Sequence, residues 1–368
     1  MNSKKIKVLI VATTKFELDG ITNVILNYYR AIDKIDMQID FVIPNDIRKD
    51  LKLELESFNS HIYKISGRIK KTWLYVNELS KIINKNNYDI IHAHGNSCTL
   101  ALEMYVAKKA GVKVRISHSH NTKSKYKIIH KILRGLFDSN YTHAFACGKK
   151  AGEWLFNDKS FEIINNGINL EKYKYDVEMR KKYRNKYKLE GKKVIGHIGH
   201  FCYQKNHDYL IDVFSELYKI DDSYRLILIG DGKLRSNVEK KVNDLRLSMA
   251  VIFTGKTLDV SQLMQAMDMI IMPSRFEGLP LTLVEAQTAC LPCFVSDTVS
   301  KEVRITNLVK FLSLERGSKE WATQINKSNI INRQKIKDRI LNEIIQAGYS
   351  ITDNAKKMKE LYKTYYNK

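Results

Sequence analysis

The residues best placed to do chemistry are two glutamates in the segment Pro273-Ser-Arg-Phe-Glu277-Gly278-Leu279-Pro280-Leu281-Thr282-Leu283-Val284-Glu285-Ala286. The apolar run Met269–Met272 ahead of it reads as a strand, and Gly278-Leu279-Pro280 as the turn that starts a helix. The first turn of a helix leaves backbone amides unpaired, and its dipole favours an anion there. Glu277 stands at the loop edge. Glu285 falls about one turn inside the helix, where a carboxylate can accept hydrogen bonds from a pair of vicinal hydroxyls such as those of a ribose. A solvated surface charge is the plainer reading of either glutamate alone. The strand–Gly–Pro–helix setting argues against it for the pair.

A second loop, Gly196-His-Ile-Gly199-His200-Phe-Cys-Tyr-Gln-Lys205-Asn206-His207, also follows an apolar strand and presents His200 and Lys205 ahead of a helix. Lysine is a good point-charge partner for a diphosphate. The spacing is not G-x-G-x-x-G, and G-x-x-x-x-G-K-[ST] occurs nowhere, which counts against a dinucleotide oxidoreductase and a P-loop nucleotidase. Near the start, Asp19-Gly20-Ile21-Thr22-Asn23 opens a helix. A glycine there lets a ligand approach the backbone, although an ordinary turn explains it equally well. His92-Ala-His94 and His118-Ser-His120 each put two imidazoles on one strand face, a plausible metal arrangement. No carboxylate or cysteine sits at helpful spacing, and the expectation is no metal. Satisfied core or turn histidines are the structural alternative.

These residues need elements to hold them. Strand patterns fall at Ile6–Ala12, Ile39–Ile43, Asp89–Ala93, Lys113–Ser117, His143–Cys147 and Glu162–Ile164, with helical patterns at Thr22–Ile32, Thr72–Asn84, Thr99–Ala110 and Ile128–Phe137. A second series of strands follows at Lys193–Ile198, Arg225–Ile229, Val251–Thr254, Met269–Met272, Cys293–Ser296 and Val309–Leu312, and Ile351–Tyr366 reads as one closing helix. Alternation of β and α marks a parallel, doubly wound sheet. Residues 1–168 are expected to form one Rossmann-like domain and 191–348 another. Residues 169–190, which contain Arg180-Lys-Lys-Tyr-Arg184, would be a polar linker, and 349–368 the closing helix, packed back on the first domain. In such sheets ligands bind beyond the carboxyl ends of the strands, where the candidate residues lie.

The chain has 368 residues, room for about two domains, with 44% hydrophobic and 28% charged residues. That composition excludes a disordered chain and a small disulfide-stapled scaffold. No apolar run approaches the ~18–20 residues of a membrane span, and the first apolar stretch is too short for a signal-peptide core. The five cysteines, Cys98, Cys147, Cys202, Cys290 and Cys293, form no disulfide-like framework, and Cys290-Leu-Pro-Cys293 lacks a second pair for a metal. Cytoplasm is the expected compartment. The net charge of +22 is uneven, with 35 basic and 20 acidic residues in 1–190 against 27 and 20 in 191–368. Something anionic is therefore expected to face the first half.

The motifs together resemble those of a retaining glycosyltransferase of family 4, built on the α/β GT-B fold of two facing Rossmann-like domains with a cleft between them. The resemblance spans essentially the whole chain. Its most specific part is Glu277-x7-Glu285 around the Gly-Leu-Pro, supported by Lys205-Asn206, Leu228-Ile-Gly230-Asp-Gly232, Phe253-Thr-Gly255, Asn166-Gly167-Ile168 and Gly348-Tyr349. Within the family the chain is most similar to bacterial enzymes of capsular or extracellular polysaccharide assembly. The resemblance implies an NDP-sugar donor, UDP by analogy, and no metal cofactor. Glu285 would bind the ribose and Glu277 a hydroxyl of the transferred sugar. Lys205 and the amides from Gly278 to Leu281 would hold the diphosphate, with Gly278, Leu279, Pro280 and Leu281 all counted as donor-binding. Gly199 would belong to the same site, and Gly20 would let the first domain's loop approach. His118, with His120 as fallback, would lie near the transferred sugar, and His94 on the acceptor side. The family usually places an Arg where His200 stands, and a neutral imidazole offers less to a diphosphate than a bidentate guanidinium.

The acceptor is expected to be a lipid-linked glycan. The segment Lys123-Ser-Lys125-Tyr-Lys127 through Phe137 carries Ile128, Ile129, Ile132, Leu133, Leu136 and Phe137 at helical spacing beside Lys and Arg. It reads either as a helix lying on an anionic membrane surface or as a stripe facing its own sheet. A nucleotide-sugar epimerase on the same fold is the nearest alternative function. A nucleic-acid-binding protein has only the charge to recommend it, since the basic residues are scattered and not interleaved with aromatics, and nucleic acid is not an expected partner.

Overall fold

The computed structural model describes residues 5–17, 20–122 and 127–368. The chain divides into two compact units: the first holds residues 1–167 and 351–368, the second 168–350.

The first unit is built on a seven-stranded sheet of β1 (Ile6–Ala12), β2 (Met37–Ile43), β3 (Ile62–Lys64), β4 (Ile90–Gly95), β5 (Val114–Ser119), β6 (His143–Ala146) and β7 (Glu162–Ile163). All pairings are parallel, in the order β3-β2-β1-β4-β5-β6-β7. Helices cover both faces, so central strands are apolar almost throughout. Val8, Leu9 and Val11 in β1 and Ile90 and Ile91 in β4 are fully buried. The Ile351–Tyr366 helix belongs to this unit and packs on the Gly20–Ala31 helix through Ile351, Ala355, Met358 and Tyr362. Lys359 and Lys363 beside that stripe pair with Asp33 and Asp36.

The second unit has six parallel strands: β8 (Lys193–Ile198), β9 (Tyr224–Ile229), β10 (Val251–Gly255), β11 (Met269–Met272), β12 (Cys293–Ser296) and β13 (Val309–Leu312). Their order is β10-β9-β8-β11-β12-β13. In both sheets the winding reverses next to the first strand, at β1/β4 and at β8/β11. Such a switch point opens a crevice at the carboxyl ends of the two strands.

Three expectations need correcting. Residues 169–190 are not a loose polar connection: helices Leu170–Tyr173 and Val177–Lys186 occupy most of them, capped by the side chains of Asn169 and Asp176. Their charges are anchors. Arg180 and Arg184, one turn apart, meet the buried Asp268 at 2.5 and 3.2 Å, and Tyr183 enters the core of the second unit. The strands carrying the histidines run two residues further than their apolar runs, because His94 and Gly95 pair in register with His118 and Ser119. His94 and His118 therefore lie within strands and not after them. The apolar face of 128–137 is also divided, as described below.

Candidate functional site

In the second unit the β8/β11 switch point collects most of the expected donor residues. After β8 the chain passes Gly199, whose amide donates to Ile229 O at 3.0 Å. A Cβ at Gly230, where φ is +135°, would lie 2.1 Å from the Gly199 carbonyl oxygen, so the loop after β9 can pass only as glycine. Gly199 in turn makes room for Lys205, since a Cβ there would meet the lysine stem at 3.0 Å. Lys205 ends a short 3-10 turn, and Asn206 reverses the chain in the left-handed region with φ 57°.

Two hydrogen bonds stitch this loop to the one after β11. The Asn206 side-chain amide donates to Pro273 O at 3.1 Å, and the Arg275 amide donates to Gln204 O at 2.8 Å. From the other side Thr298 donates to Ser274 O at 2.8 Å and the Ser300 amide to Glu277 O at 3.2 Å. The result is an ion pair between Lys205 Nζ and Glu277 Oε1 at 2.7 Å, with side chains 16% and 11% exposed. Two residues singled out separately from the sequence thus meet.

Beyond Glu277 the chain opens. Gly278 has no positive φ, and a Cβ on it would meet nothing within 4 Å. Nothing in the fold itself requires glycine there. Leu279 packs against the core of this unit, and Pro280 occupies the N-cap of the Leu281–Thr288 helix without capping it through a side chain. The Leu283 amide turns back to Pro280 O at 3.0 Å, and those of Leu281 and Thr282 are left to whatever lies in front of them. Glu285 is half-buried in the same helix and faces the Tyr173 hydroxyl; burial raises its pKa above the ordinary 4.5, partly offset by that hydroxyl. Tyr173 comes from the segment expected to be a linker, where no local pattern marks it. His200 is exposed on the β8 loop beside Gly232.

In the first unit four imidazoles share one face of β4 and β5. His92, His94 and His118 are buried, and His120 is half-buried just past β5. The rings lie in layers, with His92 and His94 stacked at 4.2 Å and His118 and His120 at 4.2 Å. Across the strands His92 Nε2 is 3.1 Å from His118 Nδ1, and His94 Nδ1 is 2.8 Å from His120 Nε2. His92 Nδ1 also meets the Tyr362 hydroxyl at 2.6 Å. Burial holds His92 and His120 down to about 3 and puts His94 and His118 well below the usual imidazole value, so all four rings are neutral at pH 7. Neutral rings can ligate, and His92, His94 and His118 each offer a nitrogen within 4.8 Å of the others. In this arrangement His92 Nε2 and His118 Nδ1 are spent on each other and His92 Nδ1 on Tyr362, whereas His94 Nε2 and His118 Nε2 have no partner among the described residues.

Gly20 starts the Gly20–Ala31 helix, and a Cβ there would meet nothing within 4 Å. Asp19 lies outside the described residues. So do Lys123 to Tyr126 of the basic segment, which continues as helices Lys127–Ile132 and Arg134–Asp138. Its apolar residues split between two faces. Phe137 is buried and Leu133 packs on the core, whereas Ile128 and Ile132 are 75% and 73% exposed and Ile129 and Leu136 half as much. Of the outward set, Ile128, Ile132 and Leu136 recur every fourth residue across the two short helices. Among the described residues no helix is long and apolar enough to cross a membrane.

Residues 18–172 match the family model described as Glycosyltransferase Family 4, and residues 179–350 that described as Glycosyl transferases group 1. The chain is 30% identical to the putative glycosyltransferase EpsF of Bacillus subtilis, over 98% of this chain and 97% of that one. It is 26% identical to the UDP-Gal:alpha-D-GlcNAc-diphosphoundecaprenol alpha-1,3-galactosyltransferase of Escherichia coli, over 77% of each. Among solved structures, Anabaena HepE in complex with UDP superposes with a TM-score of 0.77 at 18% identity, covering 98% of this chain and 100% of that one. A further relative, 25% identical over 78% of this chain and 81% of that one, is the capsular polysaccharide biosynthesis glycosyltransferase CapH of Staphylococcus aureus. With two parallel Rossmann-like sheets of the GT-B class, both family models and a relative matched along nearly its whole length in agreement, the chain belongs to glycosyltransferase family 4.

Proposed function

We propose that this glycosyltransferase moves a hexosyl group from a UDP-sugar to a hydroxyl of a lipid-linked glycan, with retention at the anomeric carbon. The observation that carries the reading is the Lys205–Glu277 pair at the β8/β11 switch point, next to the open Gly278 and the uncapped helix that holds Glu285. The E. coli relative named for a UDP-galactose donor and a diphosphoundecaprenol acceptor, and the UDP complex of HepE, support the choice of nucleotide and acceptor class.

In this reading the diphosphate takes up Lys205 and the amides from Gly278 to Leu281, and Glu277 turns to a sugar hydroxyl. Glu285 receives the ribose hydroxyls. As the glycosidic bond to the diphosphate breaks, negative charge grows on the leaving oxygen. Lys205 and the helix amides meet it there without reorganisation. The leaving phosphate accepts the acceptor's proton on the face from which it departs, which retains configuration. Lys205 supplies the positive charge, so the reaction proceeds without a divalent cation. His118 contacts the transferred sugar, while His94 and His120 lie toward the acceptor.

The acceptor's lipid places the enzyme at an anionic membrane surface on the cytoplasmic side, with the exposed Ile128, Ile132 and Leu136 entering the interface and Lys127 and Lys131 beside them on lipid headgroups. The test is a transfer assay with UDP-, GDP- and ADP-hexoses and a polyprenyl-diphosphate-linked sugar, with and without EDTA, and NMR of the product's anomeric centre. Transfer from a UDP-sugar, with retention and in EDTA, is expected. Inverted product, a cation requirement, or conversion of the UDP-sugar to an epimer without acceptor would each refute the corresponding part.

A further inference from the structure

The histidine face of the first unit has one anchored pair and one unanchored pair. Tyr362, on the C-terminal helix, is 1% exposed, and the one hydrogen bond of its hydroxyl among the described residues is to His92 Nδ1 at 2.6 Å. Either atom could donate in principle. A buried hydroxyl that only accepts, however, strands its proton, whereas one that donates leaves only spare lone pairs, the cheaper loss. The hydroxyl therefore donates to Nδ1. A neutral imidazole carries one proton, so that of His92 sits on Nε2, 3.1 Å from His118 Nδ1, and is donated to it. His118 must then hold its own proton on Nε2. That atom is buried and has no partner among the described residues. His94 and His120 share a hydrogen bond at 2.8 Å, but no hydroxyl fixes its direction.

We infer that Tyr362 is a positioning residue that, through His92, fixes His118 as an Nε2–H donor toward a hydroxyl oxygen of the sugar being transferred. This rests on the reading above that His118 contacts that sugar. A fixed donor discriminates: it rewards an acceptor oxygen and rejects a bare N–H or C–H at that position. The C-terminal helix thereby reaches the sugar site through a chain of two hydrogen bonds without touching the substrate.

The test uses the full chain with 15N-labelled histidine and long-range 1H–15N correlation. Wild type is expected to show His118 and His92 each protonated at Nε2 and bare at Nδ1 at pH 7. Tyr362→Phe keeps the ring and removes the donor. Protonated Nδ1 should then appear at His118, and kcat/KM should fall by about tenfold, as for loss of one oriented hydrogen bond. A wild-type His118 protonated at Nδ1 would overturn the inference without recourse to any variant. So would a Tyr362→Phe protein with an unchanged ring-nitrogen pattern, or Zn2+ binding by wild type that abolishes the Nε2–H signals. The underlying reading fails separately: His118→Ala with full turnover would remove the sugar contact while leaving the wild-type proton positions as found.

Discussion

At Lys205 the geometry and the proposed chemistry meet most directly. Its ammonium is 2.7 Å from Glu277 on a side chain only 16% exposed, held by a loop that Gly199, Asn206 and Gln204 fix in place. Loss of one such preorganised donor costs ~2.7–4 kcal/mol in the transition state. Lys205→Ala is accordingly expected to lower kcat by about 100- to 1,000-fold in the transfer assay. Glu285 makes a different prediction, because its raised pKa means the folded protein holds the proton more tightly than the unfolded chain. The ionised form therefore lowers stability, an effect absent below the ordinary carboxylate value and growing as pH rises through the raised one. Glu285→Gln should weaken UDP binding yet raise the melting temperature at pH 7, with the gain vanishing near pH 4. Equal gains at both pH values would contradict the assignment of the charge as the destabilising element.

The elements were legible to different degrees, for physical reasons. Strands β11 and β12 begin and end where their apolar runs do, because continuous burial leaves a continuous apolar run, and the Ile351–Tyr366 helix does because its buried residues recur at helical spacing. Strand β3 is a short, half-exposed edge strand, and the Lys49–Ser57 helix buries only Leu51 and Leu55, so neither carries enough pattern to be read. The Val177–Lys186 helix was hidden by its own charge: Arg180 and Arg184 look like solvated residues until Asp268, far along the chain, is placed beneath them. The site followed the same rule. Glu277, Glu285 and Lys205 were readable from local spacing, whereas Tyr173 and Tyr362 reach their partners only through tertiary packing. The Gly278 turn offers a test of function without a stability cost. Gly278→Ala should leave thermal stability within about 1 kcal/mol, since a methyl meets open space, yet lower kcat/KM about tenfold or more by displacing the donor from the backbone. On the Lys127–Ile132 helix, Ile128→Asp with Ile132→Asp should leave the fold unchanged, both side chains being exposed, and weaken co-sedimentation with phosphatidylglycerol vesicles more than tenfold. Undiminished sedimentation would move the membrane contact elsewhere.

Over the whole molecule the two units carry different charge. The first, including the C-terminal helix, holds 32 Lys and Arg against 18 Asp and Glu, and the second 30 against 22. In the proposed account the second unit spends a few cations on one diphosphate, and the larger excess on the first, +14, faces an acidic lipid surface. The C-terminal helix joins these scales, since residues 351–368 return to the first unit and bring Tyr362 to His92. Calorimetric titration of UDP into wild type, Lys205→Ala and Glu285→Ala tests the central claim most directly. The account predicts one saturable site per chain in wild type and clearly weaker binding in each variant, with Lys205→Ala losing mainly the diphosphate's share and retaining affinity for uridine. Equal UDP affinity in all three proteins, or a wild type that does not bind UDP, would contradict it.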